Sequence, residues 1–215
     1  MSQSDVNYML FWVAVQGLSP DQALAALKME ACDEAEARDV PGWPDFPNRR
    51  DYFDRIFMGQ LPENWLLLFG LPDDKDRKLL MRLAKLGPAF VGEISRPGNY
   101  AEGHSYADGK EVWSIDYDFE SYGRDDFLKM EGKLPENLAT IVGATYAGTA
   151  MGLGRDDGVD LLLHLPGKLS KAVCGFTPDE EPSEEFRWTM LQPIGGVPTP
   201  KPKPKGCLAL LFGWR

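Results

Sequence analysis

The sequence predicts an α+β protein: a mixed, mainly antiparallel sheet packed with helices in a single domain, residues 1–192, followed by a proline-rich tail. Three observations carry this expectation. Trp113, Ile115, Tyr117 and Phe119 alternate with Ser114, Asp116, Asp118 and Glu120, the period of a strand with one apolar and one acidic face. Asp108-Gly109 just before them is a strong hairpin signal, which makes 100–107 the antiparallel partner. Leu79, Leu80, Leu83 and Leu86 recur instead at the spacing of a helix that buries one side.

Taken in order, residues 8–15 (YMLFWVAV) are aromatic and β-branched and read as a buried strand, with a helix as the alternative. Ser19-Pro20-Asp21 places a cap and then a proline at the first helical position, so a helix runs to about Met29. Residues 30–48 hold six acids, one base and three prolines around Trp43 and Phe46; this is read as an irregular excursion pinned by its aromatics. NWLLLFG at 64–70 suits a central strand buried on both faces. Asp73 or Asp74 caps the leucine helix, which Gly87-Pro88 stops. AFVGEIS at 89–95 is a strand, and Arg96-Pro97-Gly98-Asn99 the turn after it. Residues 135–150 read as a helix of small residues, and a proline-led helix ends near Gly175. LPEN occurs at 61–64 and again at 134–137, but the flanks differ, so both copies are read as turn chemistry rather than as a repeat.

From 193 to 206 the chain reads PIGGVPTPKPKPKG, an extended spacer. The apolar segment 207–215 is expected to dock back on the body. The apolar run at 8–15 lacks a basic start, which argues against a secretory signal. No run approaches the ~20 residues of a membrane span. Three scattered cysteines, Cys32, Cys174 and Cys207, offer no disulfide framework, so a reducing cytoplasm is the expected compartment.

The net charge is −10. No acid follows Glu185, and the five basic residues beyond it leave 18 basic and 33 acidic groups in residues 1–185, a net −15. Such a body repels a phosphate backbone, which excludes nucleic acid as the expected partner. It would attract a basic protein and speed its association.

His104 lies two residues after Glu102, and the hairpin could bring both beside Asp116 and Asp118. Imidazole with carboxylates accepts divalent cations, but E-x-H across a turn from D-x-D matches no diagnostic ligand spacing. A solvated acidic face is the preferred reading, with no metal and no cofactor. Asp116, Asp118 and Glu120 as a glycosidase pair lack any recognisable sugar groove. The loop Gly152 to Gly158, with Arg155, Asp156 and Asp157, fits neither a phosphate-loop nor a calcium-loop template. There is no G-x-S-x-G elbow; Cys174 reads as a core thiol, and a pairing of cysteine with His104 or His164 stays open.

Several segments together, GLSPDQALAAL (17–27), ENWLLLF (63–69), LAKLG (83–87), AEGHSYADGKEVWSIDYD (101–118), GKLPENL (132–138) and DLLLHLPGKLSKAVCGF (160–176), resemble a diverse group of bacterial immunity-type proteins associated with polymorphic or secreted toxins. Members of that group tend to have His-Asp where this chain has Tyr117-Asp118, and the resemblance implies no catalytic residue. It implies a cytoplasmic protein that binds and occludes a cognate toxin. The expected contact face comprises Glu102, His104, Tyr106, Asp116, Asp118 and Glu120, joined by Asp156 and Asp157. The rival readings are a small hydrolase or metal-dependent enzyme centred on His104, and a scaffold that uses its Lys-Pro tail.

Overall fold

The structure is a computed structural model and describes residues 9–36, 56–70, 74–95, 98–121, 127–152, 160–180 and 186–194. Among these residues nine strands form one antiparallel sheet: β1 Met9–Gln16, β2 Met29–Glu36, β3 Ile56–Leu61, β4 Trp65–Gly70, β5 Ala89–Ser95, β6 Tyr100–Ala107, β7 Lys110–Asp118, β8 Leu128–Gly132 and β9 Arg187–Pro193. Their lateral order is β2-β9-β3-β4-β1-β5-β6-β7-β8. Four helices accompany them: α1 Pro20–Leu27, α2 Asp74–Leu83, α3 Glu136–Ala150 and α4 Leu165–Cys174. The protein is therefore α+β, dominated by its sheet, and among the described residues no helix is long and apolar enough to cross a membrane.

The two apolar cores lie on opposite faces of this sheet. On the first face Trp12, Phe69, Phe90, Trp113, Ile115 and Tyr117 pack with Leu138 and Val142 of α3 and Leu165 and Leu169 of α4. On the second, Phe11, Val13, Val15, Leu66 and Leu68 pack with Ala23 and Leu27 of α1 and Leu80 and Leu83 of α2. Central strands covered on both faces need apolar residues at every position, which is why β4 is buried along its whole length. At the centre of the first core, Trp12 occupies the space over Gly92: a Cβ built at Gly92 would lie 2.1 Å from the indole. The indole Nε1 donates to Ser170 Oγ of α4 at 3.0 Å, so this fully buried side chain also satisfies its polar atom.

Local signals behave as their chemistry requires. Ser19 Oγ accepts from Gln22 N, and the Gln22 side chain accepts from Ser19 N, a complete capping box. Asp108 and Gly109 both have positive φ, 51° and 71°, the requirement of a type I′ hairpin turn. α4 ends on Gly175 in the left-handed region.

Several expectations are corrected. The helix from Pro20 stops at Leu27, because Lys28 takes a left-handed C-cap and Met29 already belongs to β2. Residues 30–36, expected to be irregular, form the rest of that edge strand. Its four acids and two alanines do not look like a strand, but edge strands carry charge that discourages further pairing. β2 is held along one side by β9, with a bulge between Ala31 and Asp33. Leu86, expected in the core, is 55% exposed, beyond the end of α2. Trp43, Phe46, Asp73, Arg96, Pro97 and the tail beyond Ile194 lie outside the described residues.

Candidate functional site: an acidic face on strands β5 to β7

On its second face, the sheet is covered by α2 over β1 but carries polar side chains on β5, β6 and β7. Register sets their neighbours. Glu93 of β5 stands opposite Glu102 of β6, and Glu102 opposite Asp116 of β7. One pair further along, His104 stands opposite Ser114. Beyond it the pairing shifts: Ser105 faces Trp113, whereas Tyr106 faces Glu111. Val112 is the extra residue of this β-bulge, and the bulge returns Glu111 to the face of Tyr106 and His104, where simple alternation would send it to the opposite one. Gly132 accommodates the distortion from β8, with φ +74° and a position where any Cβ would lie 2.1 Å from the Val112 carbonyl oxygen.

These neighbours form one network. His104 Nδ1 is 3.1 Å from Glu111 Oε2. His104 Nε2 is 3.5 Å from Glu102 Oε2 and 3.8 Å from Asp116 Oδ1. Tyr106 donates its hydroxyl to Glu111 Oε2 at 3.3 Å. Arg77 reaches across from α2, its guanidinium over the Phe11 ring. Its Nη2 lies 2.6 Å from Glu93 Oε2 and 3.4 Å from Glu102 Oε2. Tyr100 donates to the other oxygen of Glu93.

Electrostatics follow from this crowding. Burial pushes the Glu93 carboxyl up, against the hydrogen bond from Tyr100 and the charge of Arg77. Glu102 is held below the ordinary carboxylate value chiefly by its hydrogen bond with His104. Burial pulls the His104 imidazole down, but the hydrogen bond to Glu102 and the charges of Glu111, Asp116 and Glu102 outweigh it, and the net shift is upward. Asp116 is raised, first by burial and then by its acidic neighbours. The Tyr106 hydroxyl is pushed to about 12 by burial and by Glu111.

Of the residues expected on this face, Glu102, His104, Tyr106 and Asp116 converge. Asp118 does not join them: its carboxylate caps the short 3-10 turn Phe119–Ser121, accepting from Glu120 N at 2.9 Å and from Ser121 Oγ at 3.0 Å. Glu120 is a correction, since β7 ends at Asp118 and Glu120 sits exposed within that turn. Phe119, expected on the buried side of the strand, is 48% exposed for the same reason. Asp156 and Asp157 lie outside the described residues.

Sequence reasoning missed Glu93, Glu111, Tyr100 and Arg77. A signal existed for Glu93, a lone acid in the otherwise apolar run AFVGEIS, because a buried acid demands a partner. None existed for Glu111, whose face depends on the bulge.

The remaining candidate groups have structural partners. Tyr117 points to the opposite face and donates to Asp160 Oδ2 at 2.5 Å, and Asp160 Oδ1 accepts from Leu162 N. His164 Nδ1 pairs with Asp179. Cys174 is buried, its thiol pushed up chiefly by that burial, and it contacts Ser170; such a thiol is a packed core group rather than an activated nucleophile. Compared with known proteins, the chain matches no family model, no curated protein and no solved structure.

Proposed function

We propose that this chain is a binding protein that uses the acidic face of β5 to β7 to dock a basic protein. In keeping with the resemblance of its segments to toxin-associated immunity proteins, we take that partner to be a cognate bacterial toxin whose active site is occluded. The observation that carries the docking part is the meeting of Glu102, His104, Glu111 and Asp116 on one partly exposed side of the sheet, within a body that carries −15 over residues 1–185. Complementary charge of this kind accelerates encounter and selects partners by sign. The same strands are anchored from behind by a continuous apolar core, so the face is presented on a rigid support.

The test has two stages. The gene beside this one is expressed alone and together with this protein, and growth is scored; rescue from a lethal neighbour supports immunity, and a harmless neighbour removes its basis. With the partner in hand, Glu102→Lys with Asp116→Lys is expected to slow association at least tenfold at low salt, a change of about 1.4 kcal/mol, while Glu120→Lys changes it far less. Equal association rates for the wild type and the double variant would remove this face from the interface.

A further inference from the structure

The tight convergence of one imidazole and two carboxylates has a chemistry of its own. One ligand atom each from Glu102, His104 and Asp116 lies within 4.8 Å of the others. The pairs His104 Nε2 to Glu102 Oε2 and His104 Nε2 to Asp116 Oδ1, at 3.5 and 3.8 Å, are near the separation of two atoms bound to one ion at ~2.0–2.2 Å. The other ring nitrogen of His104 is held by Glu111 at 3.1 Å, the carboxylate–histidine arrangement that fixes a ligating ring.

The second observation lies outside that triad. Glu93 is 3% exposed and faces the cluster from β5, opposite Glu102. Its Oε2 receives no hydrogen bond. Arg77 reaches this oxygen only as an ion pair, from a guanidinium that it shares with Glu102. Lys129 and Glu131 of β8 stand opposite Asp116 and Ser114 on the same side. Five carboxylates (Glu93, Glu102, Glu111, Asp116 and Glu131) therefore meet Arg77, Lys129 and one imidazole. Of these groups Glu93 is buried and Glu102, His104 and Asp116 are partly buried, whereas Glu111, Glu131 and Lys129 are exposed.

We propose that Glu102, His104 and Asp116 form a binding site for one divalent first-row cation of the Zn²⁺ type, with Glu111 as the positioning residue for the His104 ring. One nitrogen and two oxygens suit a borderline ion, and three protein ligands leave a position open to solvent. The cation replaces the proton on His104 Nε2 and meets the carboxylates of Glu102 and Asp116. The hairpin spacing alone favoured a solvated face; the register between β6 and β7 and the bulge at Val112 are what bring the ligand atoms together.

The site is tested on EDTA-stripped full-length protein titrated with ZnCl2 by calorimetry, in a Cys32→Ser, Cys207→Ser background so that these thiols do not compete. One equivalent is expected to bind. That binding disappears in His104→Ala and in Asp116→Asn, and weakens about 10- to 100-fold in Glu111→Gln, with circular dichroism showing that each variant is folded. Affinity falls as the solution is acidified through the titration of His104, since metal and proton compete for Nε2. No stoichiometric binding, or binding that persists in both His104→Ala and Asp116→Asn, overturns the proposal. No toxin enters this assay, so its outcome is independent of the growth-rescue result.

Discussion

The two faces of the β5–β6–β7 ribbon are built from alternate residues of the same strands and solve opposite problems. One face carries Phe90, Ile94, Ala101, Trp113, Ile115 and Tyr117, all 3% exposed or less beneath α4. The other carries Glu93, Glu102, His104, Glu111 and Asp116, of which only Glu93 is fully buried. A period of two separates side chains so cleanly that one strand can be core on one side and recognition surface on the other. Glu93 marks the boundary, where a charge has been drawn beneath the cover of α2 and requires Arg77.

The comparison breaks most severely on the apolar side. Trp12→Ala removes the indole that fills the space over Gly92, contacts Phe90 and Phe176 and bonds Ser170. A loss of about 3–5 kcal/mol is expected, the range for large aromatic truncations, measured by urea unfolding. A loss below about 1 kcal/mol would mean that the first core collapses around the gap.

At the boundary, Arg77→Ala leaves Glu93 buried without a counter-charge. Breaking a fully buried pair costs about 3–5 kcal/mol, but the Arg77 side chain is 38% exposed and water screens part of the interaction. The expected loss is therefore about 1–2 kcal/mol. Arg77→Ala combined with Glu93→Gln should recover much of it, and an unrelieved double variant would show that Arg77 acts through its packing on Phe11 instead.

The gentlest test is on the acidic side and reads pH. The His104 imidazole is raised above its ordinary value of 6.5, so the stability it contributes is fully present below about pH 6.5 and is lost as pH rises through the folded-state value. Glu93 and Asp116, also raised, lose their contribution in the same direction but from a more acid starting point. Glu102, lowered, runs the opposite way: its contribution is present above its unfolded pKa and is lost as pH falls through the folded one. In metal-free buffer the urea midpoint of the wild type should decline from pH 6.5 upward, and His104→Gln should flatten that limb. An identical decline in His104→Gln would show that the imidazole does not sense its carboxylates.

Much of this molecule was legible residue by residue. The hairpin turned at Asp108-Gly109 as its φ requirements dictate, the box at Ser19 and Gln22 opened α1, and the alternation from Trp113 to Tyr117 named the two faces. The apolar runs of β1, β4 and β5 favoured buried strands, although that of β1 left a helix as the alternative. Half of the acidic site, Glu102 with His104 and Tyr106 with Asp116, followed from that pattern alone.

What sequence did not determine depends on how segments pair and pack rather than on the residues of one segment. β2 reads as an acidic loop until β9, about 160 residues later, pairs with it, and β9 itself is wedged between β2 and β3. Glu111 changes face because of a single bulged residue, and Arg77 joins the site only because α2 lies across the sheet. The tetrapeptide LPEN shows the same limit most simply. At 61–64 its Glu63 and Asn64 adopt positive φ, 55° and 60°, to turn β3 into β4, whereas at 134–137 Glu136 and Asn137 begin α3. Four residues fix a preference for turning or capping, worth a kcal/mol or so; the ladder or the core that they join fixes which one is used.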